Sequence, residues 1–264
     1  MQSSLKVLYH GVTSEQHQQE VDRLAPMGFR PISLSVSGDP EDARYAAVWV
    51  QRLGSAWVAV HGLHATDYQR RFDELVSQGF VPVQVSVTGS LANARFAAVF
   101  EQITVSRWFA RHGLVWGDPN NLDSIVGSNV LAARDGFVPH SLTVYGDTSD
   151  RRFAGIWLDN TNAVSWSWWM GDGIFHQRIF DAFASVDMRP AHVAVSSDHQ
   201  FLSVFTDDRV GQYWARHGIT AADYQQEFNT RTAAGLMPIM VQGGGTQVND
   251  IIPCQGIDFT SLND

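Results

Sequence analysis

Four histidines recur at one position of a repeated pattern, which makes them candidate acid–base groups. His10, His61 and His112 are each followed by glycine and lie 51 residues apart, and His217 is the fourth member. Imidazole exchanges a proton near neutral pH, so a shared rim of histidines could serve a hydrolase if a nucleophile and an orienting carboxylate lay beside one of them. The alternative is structural: an imidazole at a strand-to-helix turn bonds a nearby carbonyl in every unit. Repetition in every unit favours the structural role.

Arginines repeat in the same way before the second strand of the pattern. The set comprises Arg44, Arg95 and Arg152, with Gln200 at the corresponding place in the fourth unit. Each arginine is expected either to pair with a carboxylate at the hairpin mouth, such as Asp39 or Asp147, or to present a cation to an acidic ligand. The repetition again favours framework ion pairs over ligand binding.

Motifs of known catalytic chemistry are missing from the sequence. It contains no G-x-S-x-G, H-E-x-x-H, phosphate loop or G-x-G-x-x-G, and Gly243–Gly245 fits none of them. The one local cluster of acid–base residues is weak and lies on a single predicted hairpin: Ser196, Asp198 and His199 with His192. His61-x-x-His64 has no further ligands around it, so we expect no metal. Nothing in the sequence calls for a cofactor.

Tryptophan is concentrated in one irregular part of the chain. Trp157, Trp166, Trp168 and Trp169 fall within thirteen residues, in the unit that we expect to carry Trp169-Met170 in place of His-Gly. Exposed rings of this kind stack on sugars or peptides, whereas buried ones fill a core. Trp166 and Trp168 alternate along a strand and should share one face. If the protein has a specialised site, we expect it here.

A second candidate surface is the strand face that points away from the helices. It is small and polar, and it comprises Ser33, Ser35, Gln84, Ser86, Ser141, Thr143, His192, Met240 and Gln242. An antiparallel sheet commonly leaves one face wet, so the sequence favours an ordinary solvated surface over a groove that holds an extended polymer. If a groove forms, Gln84, His192 and Gln242 are its predicted ligand-binding residues.

Composition excludes several classes of partner. The 27 acidic and 18 basic residues give a formal net charge of −9, with no basic cluster, which argues against nucleic acid. Lys6 is the one lysine and Cys254 the one cysteine, so an internal disulfide is excluded. No apolar run is long enough for a membrane span, and the first residues lack the pattern of a signal peptide, which predicts a soluble chain. Compartment and oligomeric state stay open.

The elements that must position these residues repeat every 51 residues or so. In residues 61–99, Tyr68, Phe72, Leu75 and Val76 form one apolar stripe of a helix, which Gly79 should end. Val83, Val85 and Val87 alternate with polar residues as in a half-buried strand, and a second strand follows from residue 95. A third strand, residues 57–60 in the first unit, should then lead into the next His-Gly. In the first unit, Thr13 and Gln16 have the spacing of a capping box.

Five copies of this unit account for the chain, which we expect to fold as one domain. They span approximately residues 1–55, 56–106, 107–163, 164–211 and 212–264, and the third carries a six-residue insertion around residues 116–121. In the fifth, residues 248–252 could replace the second strand. The predicted class is α+β: a strongly curved antiparallel sheet, half-barrel or closed, with the helices on one side.

The recurring H-G, Y-Q, G-F-x-P and R-[FY]-A-A resemble the bacterial tandem repeat domain that also forms the N-terminal part of fungal polyglycine hydrolases. The resemblance covers nearly the whole chain and implies a curved, half-barrel-like antiparallel sheet flanked by helices. In those hydrolases, cleavage is attributed to a separate serine β-lactamase-like domain. We expect no such domain in this sequence, because the sole Ser-x-x-Lys match, Ser3 to Lys6, has no β-lactamase-like domain around it.

Together these features favour a non-catalytic recognition or scaffold module that binds an extended peptide or polysaccharide. It would use the polar strand face and the aromatic group around Trp166. The alternatives are a hydrolase with a site on the histidine rim, and a structural domain accessory to a separate serine hydrolase. Solvent exposure of Trp166 and Trp168 discriminates between binding and catalysis.

Overall fold

Each of the first four units has one helix and three antiparallel strands. The computed structural model describes residues 6–208 and 213–244 and the backbone of residues 257–258. The first unit contains β1 (Lys6–Val12), α1 (Ser14–Leu24), β2 (Phe29–Ser37) and β3 (Arg44–Gln51). The second contains β4 (Trp57–Leu63), α2 (Ala65–Ser77), β5 (Val81–Thr88) and β6 (Arg95–Glu101). The third contains β7 (Trp108–Leu114), α3 (Ile125–Asp135), β8 (Phe137–Tyr145) and β9 (Arg152–Asp159).

The fourth unit follows the same plan, whereas the described part of the fifth has one helix and two short strands. The fourth contains β10 (Trp166–Gly171), α4 (Gly173–Ala184), β11 (Arg189–Val195) and β12 (Phe201–Thr206). The fifth contains β13 (Tyr213–Trp214), α5 (Ala221–Ala233) and β14 (Ile257–Asp258). The predicted substitute strand at residues 248–252 lies outside the described residues. Within the described part of the chain, no helix combines the length and apolar character needed to cross a membrane.

The local signals in the sequence explain where the elements begin and end. Thr13 and Gln16 form the predicted capping box, because each side chain accepts a hydrogen bond from the other's backbone N–H, at 3.2 and 2.9 Å. After α2, Gly79 adopts a left-handed conformation with φ of 83°, as predicted. In the fourth unit Asp187 takes the left-handed conformation instead of a glycine, with φ of 60°.

The order of elements within a unit differs from the prediction. The strand that precedes each helix pairs with the last strand of its own unit, so the sheets have the orders β1-β3-β2, β4-β6-β5, β7-β9-β8 and β10-β12-β11. The strand before each His-Gly therefore opens a unit and does not close the previous one. β2, β5, β8 and β11 each form one edge of a sheet and are called the inner strands below.

The predicted single curved sheet is wrong, because the four three-stranded sheets are separate. Where two inner strands meet, a side-chain hydroxyl occupies the place of a backbone ladder. The Val36 N–H donates to the Ser86 hydroxyl at 3.0 Å, and the Val85 N–H donates to the Ser141 hydroxyl at 3.1 Å. The serines predicted to be solvated thus satisfy buried backbone groups between sheets.

The helices α1, α2 and α3 each pack between their own sheet and the sheet of the next unit. Leu24 of α1 shares a core with Val83 and Val99 of the second unit, and Leu75 of α2 shares one with Ile156 of the third. A third core joins Ile125 of α3 to strands of the fourth unit. Every unit thus buries a face that it could not bury alone, which is how tandem repeats gain stability.

The series closes, because the fifth unit packs on the first. Tyr224 of α5 and Val241 share a core with Val48 of β3. Residues 238–244 lie beside β2, where the Val241 N–H donates to the Ser33 hydroxyl at 3.1 Å. The same segment approaches β11, because a Cβ added to Gly244 would lie 2.6 Å from the Val195 side chain. Closure therefore comes from unit-to-unit packing and not from one continuous sheet.

Candidate functional site

The repeated histidines connect neighbouring units. The Nε2 atom of each bonds the side-chain oxygen of a glutamine on the preceding unit's helix. The pairs are His61 with Gln18 at 2.8 Å, His112 with Gln69 at 2.8 Å and His217 with Gln177 at 2.7 Å. His10 of the first unit bonds Gln225 of the fifth, which continues the series around the closed ring. We call each histidine–glutamine contact and its surroundings a junction.

The residue before each junction glutamine supplies a ring against which the histidine packs edge-on. The centroid distances are 4.8 Å for His61 on His17, 5.6 Å for His112 on Tyr68, 4.7 Å for His217 on His176 and 4.7 Å for His10 on Tyr224. Burial lowers the pKa of all four junction histidines. They are therefore neutral at pH 7 and do not present a row of cations to a ligand.

The junction between the third and fourth units lacks this pair. Trp166 pairs with Thr206 in the fourth unit, just as Trp57 pairs with Glu101 in the second, so Trp166 is equivalent to Trp57. His-Gly begins four residues after Trp57, and Met170-Gly171 begins four residues after Trp166, so Met170-Gly171 occupies the His-Gly position. The interpretation that Trp169-Met170 stands there is wrong by one residue. The facing helix has Asn129 in place of glutamine, and Asn129 instead accepts a hydrogen bond from the Trp157 indole at 2.8 Å. The sequence signal for these junctions was the dipeptide His-Gln or Tyr-Gln in four of the helices.

The repeated arginines form ion pairs with nearby carboxylates. Arg44 pairs with Asp42 at 2.7 Å, Arg95 with Glu41 at 2.6 Å and Arg152 with Asp150 at 2.8 Å. The acids differ from the two that we expected. Asp39 accepts a hydrogen bond from the Glu41 N–H, and Asp147 accepts one from the Ser149 N–H. Arg44 and Arg152 therefore close the hairpins of their own units, whereas Arg95 joins the second unit to the first.

No serine, histidine and carboxylate converge as a catalytic set among the residues described. Ser203 and His176 lie 2.9 Å apart, but both are buried, and burial lowers the pKa of His176 to about 3. In the predicted hairpin cluster, Asp198 accepts a hydrogen bond from Ser196 at 2.6 Å and forms an ion pair with Arg151 of the third unit. The Arg151–Asp198 ion pair joins the third unit to the fourth. His192 is not part of this cluster, because it lines a separate cavity.

Metal-ligating groups are also dispersed. In the described part of the chain, no three residues of His, Cys, Asp or Glu type stand close enough to hold an ion. His64, the second histidine of the H-x-x-H spacing, lies against Arg95 with a nitrogen–nitrogen distance of 2.6 Å.

The structure brings together the polar residues that we predicted on the strand face, but inside the ring. Gln84, His192 and Gln242 line one cavity of about 340 Å³, together with His140 and Met240. We call it the axial cavity, because all five units contribute to it. Burial lowers the pKa of His192 to about 4, and the neighbouring His140 acts in the same direction. Sequence reasoning missed His140. It directly follows the proline of β8, whereas His192 lies two residues after the proline of β11.

The tryptophans are divided between core and surface. Trp157 is fully buried, and Trp166 is half-buried and donates its indole N–H to the Phe137 carbonyl at 3.0 Å. Trp168 is half-buried beside Trp116, with 5.7 Å between ring centroids. Trp169 is 41% exposed.

Two further exposed aromatic residues were missed by sequence reasoning. Trp116 is 54% exposed and Phe175 is 36% exposed, and Phe175 lies 6.1 Å from the Trp169 ring. Trp116 belongs to the inserted loop of the third unit, and this insertion was the sequence feature that could have identified it. The tryptophan cluster and the axial cavity share no lining residue.

Strand–helix–strand–strand units that share their cores and close on themselves define a tandem-repeat structural domain. The family described as polyglycine hydrolase-like, structural repeat, matches residues 7–52, 54–103, 132–160 and 210–252. The matches cover more than half of the chain, and the chain belongs to this family. The resemblance inferred from the repeated motifs is thereby confirmed.

Proposed function

We propose that this structural repeat domain acts as a non-catalytic recognition module, and that it binds an extended peptide along strand β10. We further propose that the whole chain works as one body, since each unit completes the core of a neighbour. Polysaccharide binding on the same aromatic rings is the second form of the proposal. The observation that carries the proposal is the outer edge of β10, which differs from the other outer edges in backbone and side chains.

The backbone of β10 suits the addition of a strand. β10 pairs with β12 in continuous register from Trp166 to Gly171. The outer strands β1, β4 and β7 each have a register shift at the His-Gly pair, where the glycine φ is between 65° and 69°. Such bulges protect sheet edges from pairing with other chains. Having lost the histidine, β10 is regular, and its outward backbone groups have no backbone partner among the described residues.

Aromatic side chains flank this edge on both faces of the strand. Trp168 packs towards the third unit beside Trp116, whereas Trp169 packs towards its own helix beside Phe175 and Phe183. An added strand would gain main-chain hydrogen bonds from β10 and contacts for alternate side chains from these rings. We call β10 with these four residues the edge site: Trp116, Trp168, Trp169 and Phe175.

The experiment is a screen of the intact chain against a hexapeptide array and a panel of cell-wall polysaccharides. Trp169→Ala should weaken a bound peptide about tenfold or more, as expected for an aromatic contact of roughly 1.5 kcal/mol. Trp214→Ala is the matched control, because Trp214 is a similarly exposed tryptophan, at 37%, on the fifth unit. It should leave binding unchanged.

Strand addition is separated from simple stacking by N-methylated peptides. Methylation at every second residue removes the donors on one side of an extended peptide. One methylated register should therefore lose binding while the other retains it. Equal binding by both registers would reject strand addition, and selective binding of a polysaccharide would favour stacking on the rings instead. If neither panel binds, or if Trp169→Ala and Trp214→Ala behave alike, the edge site is not a binding site.

A further inference from the structure

The axial cavity is built from one position of the repeat. In each of the first four units, the two residues that follow the proline of the inner strand line the cavity. The fifth unit contributes the two residues after its corresponding proline, Pro238. In chain order, the second residue of each pair is Ser33, Gln84, Ser141, His192 and Met240. At about 340 Å³ the cavity is at the lower end of the roughly 300–1,000 Å³ that small-molecule pockets occupy.

A buried polar atom in this cavity lacks a protein partner. The Oε1 atom of Gln84 is buried and accepts no hydrogen bond, although its Nε2 donates to the Ile32 carbonyl. The exposed His140 ring and the Gln242 amide make no side-chain hydrogen bond with the described residues, so both are available to a ligand. Buried polar groups are nearly always satisfied, so the buried Gln84 oxygen without a partner indicates that the cavity receives a hydrogen-bond donor from outside.

The charged residues that line the cavity indicate which kind of ligand it would bind. The residues that line the cavity include Arg52 and Arg189 and no carboxylate, although the chain has a net charge of −9. Asp208 neutralises Arg189 through two hydrogen bonds at 2.8 and 2.7 Å. Arg52 has no ion pair with any described residue and is exposed. Gln51, its neighbour, pairs with Phe29 at the start of β2, so Arg52 stands at the end where the inner strands begin.

We infer that the axial cavity binds a small ligand that carries a carboxylate and a hydrogen-bond donor. Arg52 would engage the carboxylate at the mouth, because a guanidinium binds a carboxylate through paired hydrogen bonds. The donor would reach the free oxygen of Gln84, and His140 and Gln242 would contact the body of the ligand. This site is independent of the edge site, since the two share no residue.

Two sources can supply this chemistry, namely the C-terminus of a short peptide and a free hydroxy acid. The probes are therefore alanylalanine, alanylalanine amide and lactate, titrated calorimetrically into the intact chain. Either acid should bind, and the amide should bind at least about tenfold more weakly, because a hydrogen bond to a charged group is lost. Preference for alanylalanine over lactate would identify a peptide terminus, and the reverse preference would identify a hydroxy acid.

Arg52→Gln should weaken carboxylate binding about tenfold and reduce its dependence on salt. Arg178→Gln is the matched control, since Arg178 is an exposed arginine on α4 with no ion pair among the described residues and lies outside the cavity. His140→Trp should fill the cavity and abolish binding while the urea midpoint is retained. Absence of binding by both acids, or unchanged affinity in Arg52→Gln, would overturn the inference and leave the edge site unaffected.

Discussion

Removal of one junction pair tests how the repeats hold together. The His112 Nε2 atom lies 2.8 Å from the Gln69 side-chain oxygen, and its ring centroid lies 5.6 Å from Tyr68 and 5.3 Å from Phe96. A net hydrogen bond contributes about 1 kcal/mol, and each aromatic contact roughly 0.5–1.5 kcal/mol. We therefore expect His112→Ala to lower the free energy of unfolding by about 2–4 kcal/mol. Gln69→Ala should cost about 1 kcal/mol.

A double-mutant cycle isolates the contact itself. The double variant should cost about 1 kcal/mol less than the sum of the two single variants, measured by urea denaturation with a constant slope. His199→Ala serves as the control, because His199 is exposed in the turn between β11 and β12 and shares no hydrogen bond or ring contact with Gln69 among the described residues, so its effect should add to that of Gln69→Ala. A coupling below about 0.4 kcal/mol between His112 and Gln69 would refute the assigned hydrogen bond.

The same cycle tests ring closure when it is applied to His10 and Gln225. These residues belong to the first and fifth units, so they can couple only if the two ends of the series meet. A coupling comparable to that of the internal junction is expected. If the internal junction couples and His10 with Gln225 does not, the closed arrangement is wrong.

Three further predictions concern the interior. Burial lowers the pKa of His176 to about 3, against roughly 6.5 in the unfolded chain. The unfolded chain therefore binds a proton first as the pH drops below about 6.5, and the free energy of unfolding falls by about 1.4 kcal/mol per pH unit down to about pH 3. His176→Tyr, which copies the second and fifth units, should therefore flatten the decline in the urea midpoint between pH 7 and pH 5; an unchanged decline would contradict this pKa. Gly155→Ala should destabilise by roughly 1–3 kcal/mol in urea denaturation, because the new Cβ would lie 2.5 Å from the Trp157 ring; a neutral effect would show that the ring can move. Trp157→Phe should cost at least about 1–3 kcal/mol by the same measurement, since the Asn129 oxygen loses its buried donor, and a smaller loss would mean that this bond is not formed.

The sequence alone determined the local structure and the number of units. Capping at Thr13 and the left-handed turn at Gly79 depend on residues within a few positions of each other, so single-sequence patterns contain them. The spacing of 51 residues and the motifs around it were sufficient to indicate the repeat family. The irregular fourth unit was recognised from its tryptophans, although its register was misread by one residue because only strand pairing with β12 fixes Met170.

Tertiary structure decided what the repeated residues do. Whether Ser86 and Ser141 face water or bond the backbone of a neighbouring sheet depends on contacts between residues 50 or more positions apart. The alternating pattern of a strand gives its two faces but not their neighbours, so the polar face was expected outside and is found between the sheets. The axial cavity likewise exists because five separate units converge, and no single repeat encodes Arg52, Gln84 and His140 as neighbours.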